Sequence, residues 1–449
     1  MSMYLFLHRK DLRARQLRAF AALKKRAMPG LHALILDPAL LDERLTAPGG
    51  GTFLAAAARL VREYEAGGQT LQLLYGPPQE VVGALLEAHP ISGIVAHRDD
   101  TPYARRRDEA IAEVAQRHDV PWVLLDDASL AELDDFQRST GRDEPYKVFT
   151  PFYRKWQAYL HAHYAPAAEV GVEALDTVGA PDAAVARRYA PPRAVADALA
   201  DAAREATGPE EDLAQFISSG RLHRYAGHRD DFANEQATSR LSRHLNTGAL
   251  AVKTVYEAVQ NERGAEAWVR QLAWRDFYLY QARYHEDFFH YERRYDLSRL
   301  SDRHYEAWER GTTGIPIVDA AMKQIAETGE MPNRLRMVSA MFLTKNLLCP
   351  FTLGEQYFRR QLADYDNAQN RGGWLWSASL GYDASPYFRV MNPQTQSARY
   401  DPSGTYIRRW LPELRDLSDR DIHRPRPDAI VDLKDSRQWA IEVYKDILR

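Results

Sequence analysis

At 449 residues the chain exceeds what one core usually organises, so two or three domains are expected. With 45% hydrophobic and 27% charged residues it is not disordered throughout, and no apolar run reaches the ~20 residues a bilayer span needs. A net charge of −3, from 59 basic and 62 acidic residues, excludes a uniformly basic nucleic-acid binder and leaves any such contact to a local patch. The single cysteine, Cys349, excludes an internal disulfide, a zinc site or an iron–sulfur cluster and fits a reducing compartment. The start "MSMYLFLHRKDLR" turns charged after one short strand, unlike a signal peptide. A cytoplasmic monomer without a membrane span or a metal site is expected.

Up to residue 130, short apolar runs alternate with helical patterns: "MYLFL" (3–7), "LHALIL" (31–36), "LQLLY" (71–75), "GIVAH" (93–97) and "PWVLLD" (121–126). Near-continuous hydrophobic strands suit a sheet covered on both faces, which predicts a parallel, Rossmann-like α/β domain over 1–130. The triple glycine of "APGGGTF" (47–53) lacks both phosphate-loop signatures and reads as a plain loop. Ala, Pro and Val dominate from about 163 to 210, so 131–210 is expected to be an interdomain connection with little core of its own. From 211 to 449 strand signals nearly vanish and an all-α domain is predicted. In "TGIPIVDAAMKQIAETG" (313–329), Pro316 suits a first helical turn and Gly329 a helix end; "NRLRMVSAMFLTKNLL" (333–348) reads as the next helix.

One stretch of the helical half concentrates chemistry. "DYDNAQNRGGWLW" (364–376) holds two aspartates, two asparagines, a Gly-Gly pair and two tryptophans. A core would not choose the carboxylates, and a plain surface would not choose the indoles. A helix over 362–371 would put Asp366 and Asn370 one turn apart on one face, where a carboxylate and an amide can read the edge of a planar ring. The glycines would let another surface approach. Asn333 and Met337 form a similar pair, flanked by Arg334 and Arg336; Arg336 suits Asp364 or Asp366 as a partner, either for a ligand or as a structural ion pair. "TSRLSRHLNTG" (238–248) places Thr238, Ser239 and Ser242 around a helix start, as an ordinary cap or as a pyrophosphate site. "WVRQLAWRDFYLY" (268–280) carries Trp268 and Trp274 beside Arg275, at a spacing that also serves a core.

"LHRKDLR", "YKVFTPFYRKW", "ATSRLSRHLNTG", "AWRDFY", "TGIPIVDAAM", "NRLRM", "DYDNAQNRGGWLW", "DASPYFRVMNP" and "WLPEL" occur in one order and spacing, and together they resemble the DNA photolyase/cryptochrome family, most closely bacterial cyclobutane pyrimidine dimer photolyases. The resemblance implies an antenna-type α/β domain and a helical domain holding FAD in a folded pose. It implies that Tyr225, Thr238, Ser239, Arg240, Leu241 and Ser242 surround the phosphates and ribityl chain. Trp268, Arg275, Arg336, Phe358, Asp364 and Asp366 would line the rest of the flavin site, with Asn370 at flavin N5. Trp274, Trp376, Asn333, Met337 and Gln271 would contact a flipped pyrimidine dimer in UV-damaged DNA. The implied activity is light-driven electron transfer from reduced FAD that splits the dimer. Phosphate contacts would come from Arg229, Arg334 and Arg389, with Arg154, Lys155, Arg221 and Arg224 as further candidates. A second, antenna chromophore of folate or deazaflavin type is also implied, though "TPYARRRD" (101–108) matches neither pattern specifically.

Several positions depart from the family pattern. Gln271 stands where cyclobutane photolyases commonly carry a glutamate, as in many (6-4) photolyases and some cryptochromes. "TGEMPNR" has Glu330 and Pro332 where a tryptophan and a histidine are usual; Pro332 removes a histidine that (6-4) enzymes use, which ranks cyclobutane repair first. A cryptochrome-type blue-light receptor is the competing class, opposed by Asn370, Trp274 and Trp376. Trp374 matches the first member of a three-tryptophan relay to the flavin, but Phe351 and Ser298 occupy the other two places. Slow photoreduction is therefore expected unless another aromatic, such as Tyr365 or Trp376, takes over.

Overall fold

A computed structural model describes residues 2–42, 44–179, 181–204 and 208–449. The chain forms two compact units. One joins Met1–Asp143, Arg154–Ser218 and Arg240–Asp276; the other joins Glu144–Tyr153, Ser219–Ser239 and Phe277–Arg449.

The first unit is built on a parallel sheet of five strands, β1 (Met3–His8), β2 (Gly30–Leu36), β3 (Gln72–Tyr75), β4 (Ile91–His97) and β5 (Trp122–Leu125), in the order β3-β2-β1-β4-β5. Both faces are covered, as the apolar runs require. Tyr4, Phe6 and Leu34 meet Phe20, Leu54 and Leu60 on one side, and Leu5, Leu7 and Ala33 meet Val81, Leu85 and Ile111 on the other.

Two expectations are corrected here. Residues 49–51 are not a loop: helix Pro48–Ala66 begins before them, with proline in its first turn. A Cβ on Gly50 would lie 1.9 Å from the Arg44 carbonyl oxygen, so the glycine permits a close backbone approach. The 163–210 segment does have a core: helices Ala183–Arg188 and Arg193–Ala202 bury Val185 on one sheet face and Val195 and Leu199 on the other. Short residues at helical spacing lie close against the layers beneath, and composition alone does not distinguish that from a linker.

Inside this unit runs a sealed polar chain. Tyr4 Oη is bonded to His32 Nε2 at 2.9 Å, His32 Nδ1 to Tyr64 Oη at 2.8 Å, and Tyr64 Oη to His8 Nε2 at 2.7 Å. His8 Nδ1 and His97 Nδ1 then converge on the Asp11 carboxylate at 3.3 and 2.5 Å. Each hydroxyl and carboxylate of this chain thus has a ring nitrogen as partner.

The second unit is helical. Helix Pro316–Thr328 ends where Gly329 takes a left-handed φ of 68°, as its sequence predicts. The helix expected over 333–348 is Asn333–Met341, followed by the π-helical turn Phe342–Asn346 and a break at Leu347. Helices Phe351–Gln361 and Asn367–Ser377 pack on each other, and Leu433–Ile447 covers the π-helical turn. The fold class is thus the one expected: a parallel α/β layer followed by an all-α region.

Candidate functional site

The 364–376 stretch lies in the second unit, where the expected helix over 362–371 is corrected. The helix is Asn367–Ser377, and Asp366 is its N-cap, accepting from the Gln369 N–H at 3.0 Å. Aspartate suits this place because its carboxylate takes an otherwise unmatched N–H at the positive end of the helix dipole. Asp366 and Asn370 still stand one turn apart, with the Asn370 N–H on the Asp366 carbonyl at 2.9 Å. Asn370 Nδ2 donates to the Glu355 carbonyl at 3.1 Å, which leaves Oδ1 as its uncommitted acceptor. Of the two partners weighed for Arg336, Asp364 is the one bonded. Arg336 Nη2 donates to both its oxygens at 2.9 and 3.0 Å, while Nε holds the Met331 carbonyl at 2.8 Å.

The two glycines differ in use. A Cβ on Gly372 would lie 2.1 Å from the Tyr278 ring, whereas one on Gly373 would meet nothing within 4 Å, so the backbone there is open to another surface. Beyond them Trp374 is 2% exposed, with its ring 5.0 Å from Phe358 and 6.1 Å from Trp308, both edge-on. Its Nε1 is buried without a hydrogen-bond partner. Trp376 is half-buried, and its carbonyl takes the N–H groups of Ser379 and Ser385 at 3.2 and 3.3 Å, which folds the following loop back on it. On that loop Phe388 is 57% exposed, and Arg389 is exposed with no acidic partner among the described residues.

Asn333 is exposed and Met337 half-buried, 3.6 Å apart between Nδ2 and Sδ. Arg334 is committed to Asp230 at 2.8 Å and lies over the Tyr400 ring, and Arg229 lies over Tyr225. Arg221 is buried and bonded to Ser219 and Gln236, which corrects its listing among surface cations; Arg224 is exposed. Thr238 and Ser239, both half-buried, also belong to this unit.

Arg240, Leu241 and Ser242 belong to the first unit. Arg240 takes a left-handed φ of 58°, an uncommon conformation for a side chain of its size, just before the short helix Ser242–Thr247. Leu241, not a serine or threonine, occupies the cap position, and Ser242 is exposed. Trp268 is buried against Phe216, with centroids 5.6 Å apart. Arg275 donates to the carbonyls of Ala128 and Leu245. Trp274 and Gln271 are half-buried, and Gln271 Nε2 donates to the Ala267 carbonyl at 3.0 Å.

Sequence reasoning passed over three residues inside or near its own motifs. Asp276 is fully buried and accepts from the Leu130 and Ala131 N–H groups and from Trp156 Nε1 at 3.0, 2.8 and 2.9 Å. Burial raises its carboxyl above the ordinary value, against the pull of these donors. Arg371, also buried, holds Glu355 at 2.8 Å and Glu292, and donates to the Phe288 carbonyl at 3.1 Å. Trp308 packs against Trp374 from a helix far away in the chain. Asp276 carried a signal, a carboxylate among the apolar residues of "LAWRDFYLY"; Arg371, in a polar stretch, and Trp308 carried none.

A parallel α/β unit and a helical unit that presents a paired Arg–Asp, an outward amide, an open glycine and a half-buried indole define a flavoprotein of the photolyase/cryptochrome class. The model of the DNA photolyase family matches residues 4–172, and that of the FAD-binding domain of DNA photolyase matches residues 268–446. The deoxyribodipyrimidine photo-lyase of Halobacterium salinarum is 36% identical over 99% of both chains. Among solved structures, a bacterial class III photolyase from Agrobacterium tumefaciens superposes with a TM-score of 0.84 at 27% identity, covering 100% of this chain and 98% of its own. An archaeal photolyase from Sulfolobus tokodaii, described with two FAD molecules, gives 0.82 at 27% identity over 100% of both chains. The chain belongs to the DNA photolyase family. It is an enzyme of the photo-lyase class, whose activity is light-driven DNA repair, and FAD is its cofactor. The orphan Trp374 N–H, the uncommitted Asn370 Oδ1 and the open Gly373 backbone fit a planar flavin. Among the described residues no helix is long and apolar enough to cross a membrane.

Proposed function

We propose that this enzyme repairs cyclobutane pyrimidine dimers in UV-damaged DNA. The observation that carries the reading is the helix start at Asp366, where a capping carboxylate, the Arg336–Asp364 pair and the Asn370 amide would serve one planar ligand. Reduced FAD, when bound, supplies the light-driven electron that splits the dimer. The protein's share is positioning. Arg336, Asp364, Asp366, Asn370 and Phe358 would hold the flavin ring and ribose, together with Trp268 and Arg275. Tyr225, Thr238, Ser239, Arg240, Leu241 and Ser242 would hold its phosphates.

For the substrate, Trp274 and Trp376 are half-buried indoles of the kind that stack on a flipped base, and Asn333, Met337 and Gln271 would supply polar and soft contacts. Phosphates would be met first by Arg389, whose charge is uncommitted, with Phe388 beside it as an exposed ring. Arg229 and Arg334 are already partnered and would add field more than direct contact. A light-harvesting chromophore would suit the carboxyl ends of β1 and β4, where the strand order reverses and Arg9, Arg107 and Tyr103 gather.

The decisive assay is light-dependent restoration of a dimer-containing oligonucleotide by chemically reduced protein. Restoration is expected in light and none in darkness. Failure on the cyclobutane dimer with success on the (6-4) lesion would replace the substrate, and failure on both would favour a receptor. Asp366→Ala should lower the flavin retained after gel filtration, because it removes the helix cap as well as a ligand.

A further inference from the structure

We infer that electrons reach the flavin through Trp374, Trp308 and Tyr305, a route that leaves the chain at the helix Tyr305–Arg310; this rests on the reading that places Trp374 beside the flavin. The aligned relay fails at Phe351, and the structure adds a second reason. The Arg371 guanidinium lies 5.0 Å from the Phe351 ring centroid, where it opposes a positive charge on that ring. Trp308 has neither defect. It is fully buried, its ring is 6.1 Å from that of Trp374, and its Nε1 donates to the Ser339 carbonyl at 3.0 Å. A carbonyl is too weak a base to take the indole proton, so an oxidised Trp308 keeps that proton and remains a strong acceptor for the next electron.

The next donor is built for proton-coupled oxidation. Tyr305 is half-buried, with its ring 6.1 Å from Trp308, and its hydroxyl donates to Glu309 Oε1 at 3.0 Å. Arg360 Nη2 bonds both the Tyr305 hydroxyl and Glu309 Oε1, at 3.3 and 3.2 Å, which fixes the pair. Tyr357 also touches Trp308 but is buried, and among the described residues no carboxylate is hydrogen-bonded to its hydroxyl. One electron passes from Trp374 to the photoexcited flavin, one from Trp308 to Trp374, and one from Tyr305 to Trp308 as the phenolic proton moves to Glu309. A thiol in solution then returns an electron to the tyrosyl radical, the proton comes back from Glu309, and the thiol releases its own proton to water; the thiyl radicals left by two such turnovers pair to one disulfide.

Flash photolysis of the FAD-loaded protein with a thiol donor tests this, read by the photoreduction rate and by electron paramagnetic resonance of protein carrying ring-deuterated tyrosine. A tyrosyl radical is expected in wild type. Trp308→Phe should slow photoreduction by roughly an order of magnitude or more, and Tyr305→Phe should abolish the tyrosyl signal, while repair after chemical reduction is unchanged in both. Flavin content and circular dichroism monitor the buried Trp308→Phe change; if that variant does not fold, the half-buried Tyr305→Phe decides alone. An unaltered radical signal in Tyr305→Phe would overturn the route. Trp374→Phe separates the two levels: unchanged photoreduction there defeats the placement of Trp374 itself. Loss in Trp374→Phe but not in Trp308→Phe defeats only the relay.

Discussion

The polar groups buried in the sheet unit and those buried around Trp374 are treated in opposite ways. From Tyr4 through His32, Tyr64 and His8 to Asp11 and His97, every ring nitrogen and hydroxyl has a polar partner, with His97 Nε2 taking the Ala19 N–H at 3.4 Å. Around Trp374 an indole N–H is buried with no partner, Asn370 turns only half its amide inward, and Gly373 leaves its backbone bare. Closed networks hold a fold in one arrangement, whereas unmatched groups beside open backbone await something that is not protein. Buried atoms without a partner also occur elsewhere, as at Arg13 Nε and Trp410 Nε1, so the mark of this place is their coincidence with open backbone.

The sharpest break of that contrast is Asp11→Ala. Burial by itself would raise the Asp11 carboxyl, but His8 and His97 outweigh it and hold its pKa well below the ordinary value. Removing it strands the His97 N–H and the Arg9 N–H, which lies 2.6 Å from Oδ1, and leaves His8 Nδ1 only the Asp11 carbonyl at 3.2 Å. A loss of about 3–5 kcal/mol is expected by chemical denaturation. Because the folded pKa is depressed, the stabilisation from Asp11 is present above the unfolded carboxylate pKa and lost as pH falls through the folded one. The acid limb of the stability curve should therefore flatten in the variant, and an unchanged limb would show that Asp11 is not the group being titrated.

The open region should respond in binding and not in folding. Trp274→Ala and Trp376→Ala are each expected to weaken affinity for dimer-containing DNA by ~1–3 kcal/mol with flavin retained. Titration with an undamaged duplex provides the control. Equal loss on both duplexes, or loss of flavin, would return the indoles to packing.

Lys345 sharpens the distinction from within the helical unit. It is 0% exposed, its Nζ lies 3.1 Å from the Tyr444 ring centroid, and it donates to the Ala378 carbonyl at 3.4 Å. Burial lowers its pKa well below the ordinary 10.5, although the ring face favours the ammonium. Between the folded pKa and the unfolded one the unfolded chain binds more protons, so stability rises with pH across that window. Lys345→Met should stabilise near neutrality by about 1.4 kcal/mol for each unit of depression, less the lost ring contact. That gain should shrink as pH approaches 10.5, and a pH-independent difference would show that packing alone is involved.

How much of this was readable in advance follows from what each signal encodes. Five apolar runs located the strands to within a residue or two because strands covered on both faces need continuous hydrophobicity, but nothing local encodes the order β3-β2-β1-β4-β5. Pro316 and Gly329 marked their helix through backbone chemistry that acts at those very positions. Asp366 was located but misplaced inside a helix, because aspartate serves equally as a cap and as a ligand. The motifs named Trp374, yet its neighbour Trp308 lies in another segment, and contact across such a separation is a property of packing that no local pattern carries.

The smallest expected effect concerns Gln271, in the first unit, and rests on the proposed contact with the dimer. Its Nε2 already donates one N–H to the Ala267 carbonyl at 3.0 Å, which leaves the second N–H and Oε1 for other partners. A thymine ring N–H can be held by Oε1. The dimer anion formed after electron transfer can take a hydrogen bond from the remaining N–H, but a neutral amide has no acidic proton to give it. Repair should therefore proceed in the wild type at a reduced quantum yield. In Gln271→Glu the internal bond to Ala267 is lost unless the acid is protonated, which frees the side chain to turn toward the substrate and, once protonated, to donate. A modest rise in quantum yield is expected, with an acid-side optimum that the wild type lacks. A lower yield in the glutamate variant at every pH would mean that the bond to Ala267, by fixing the helix surface, matters more than the proton.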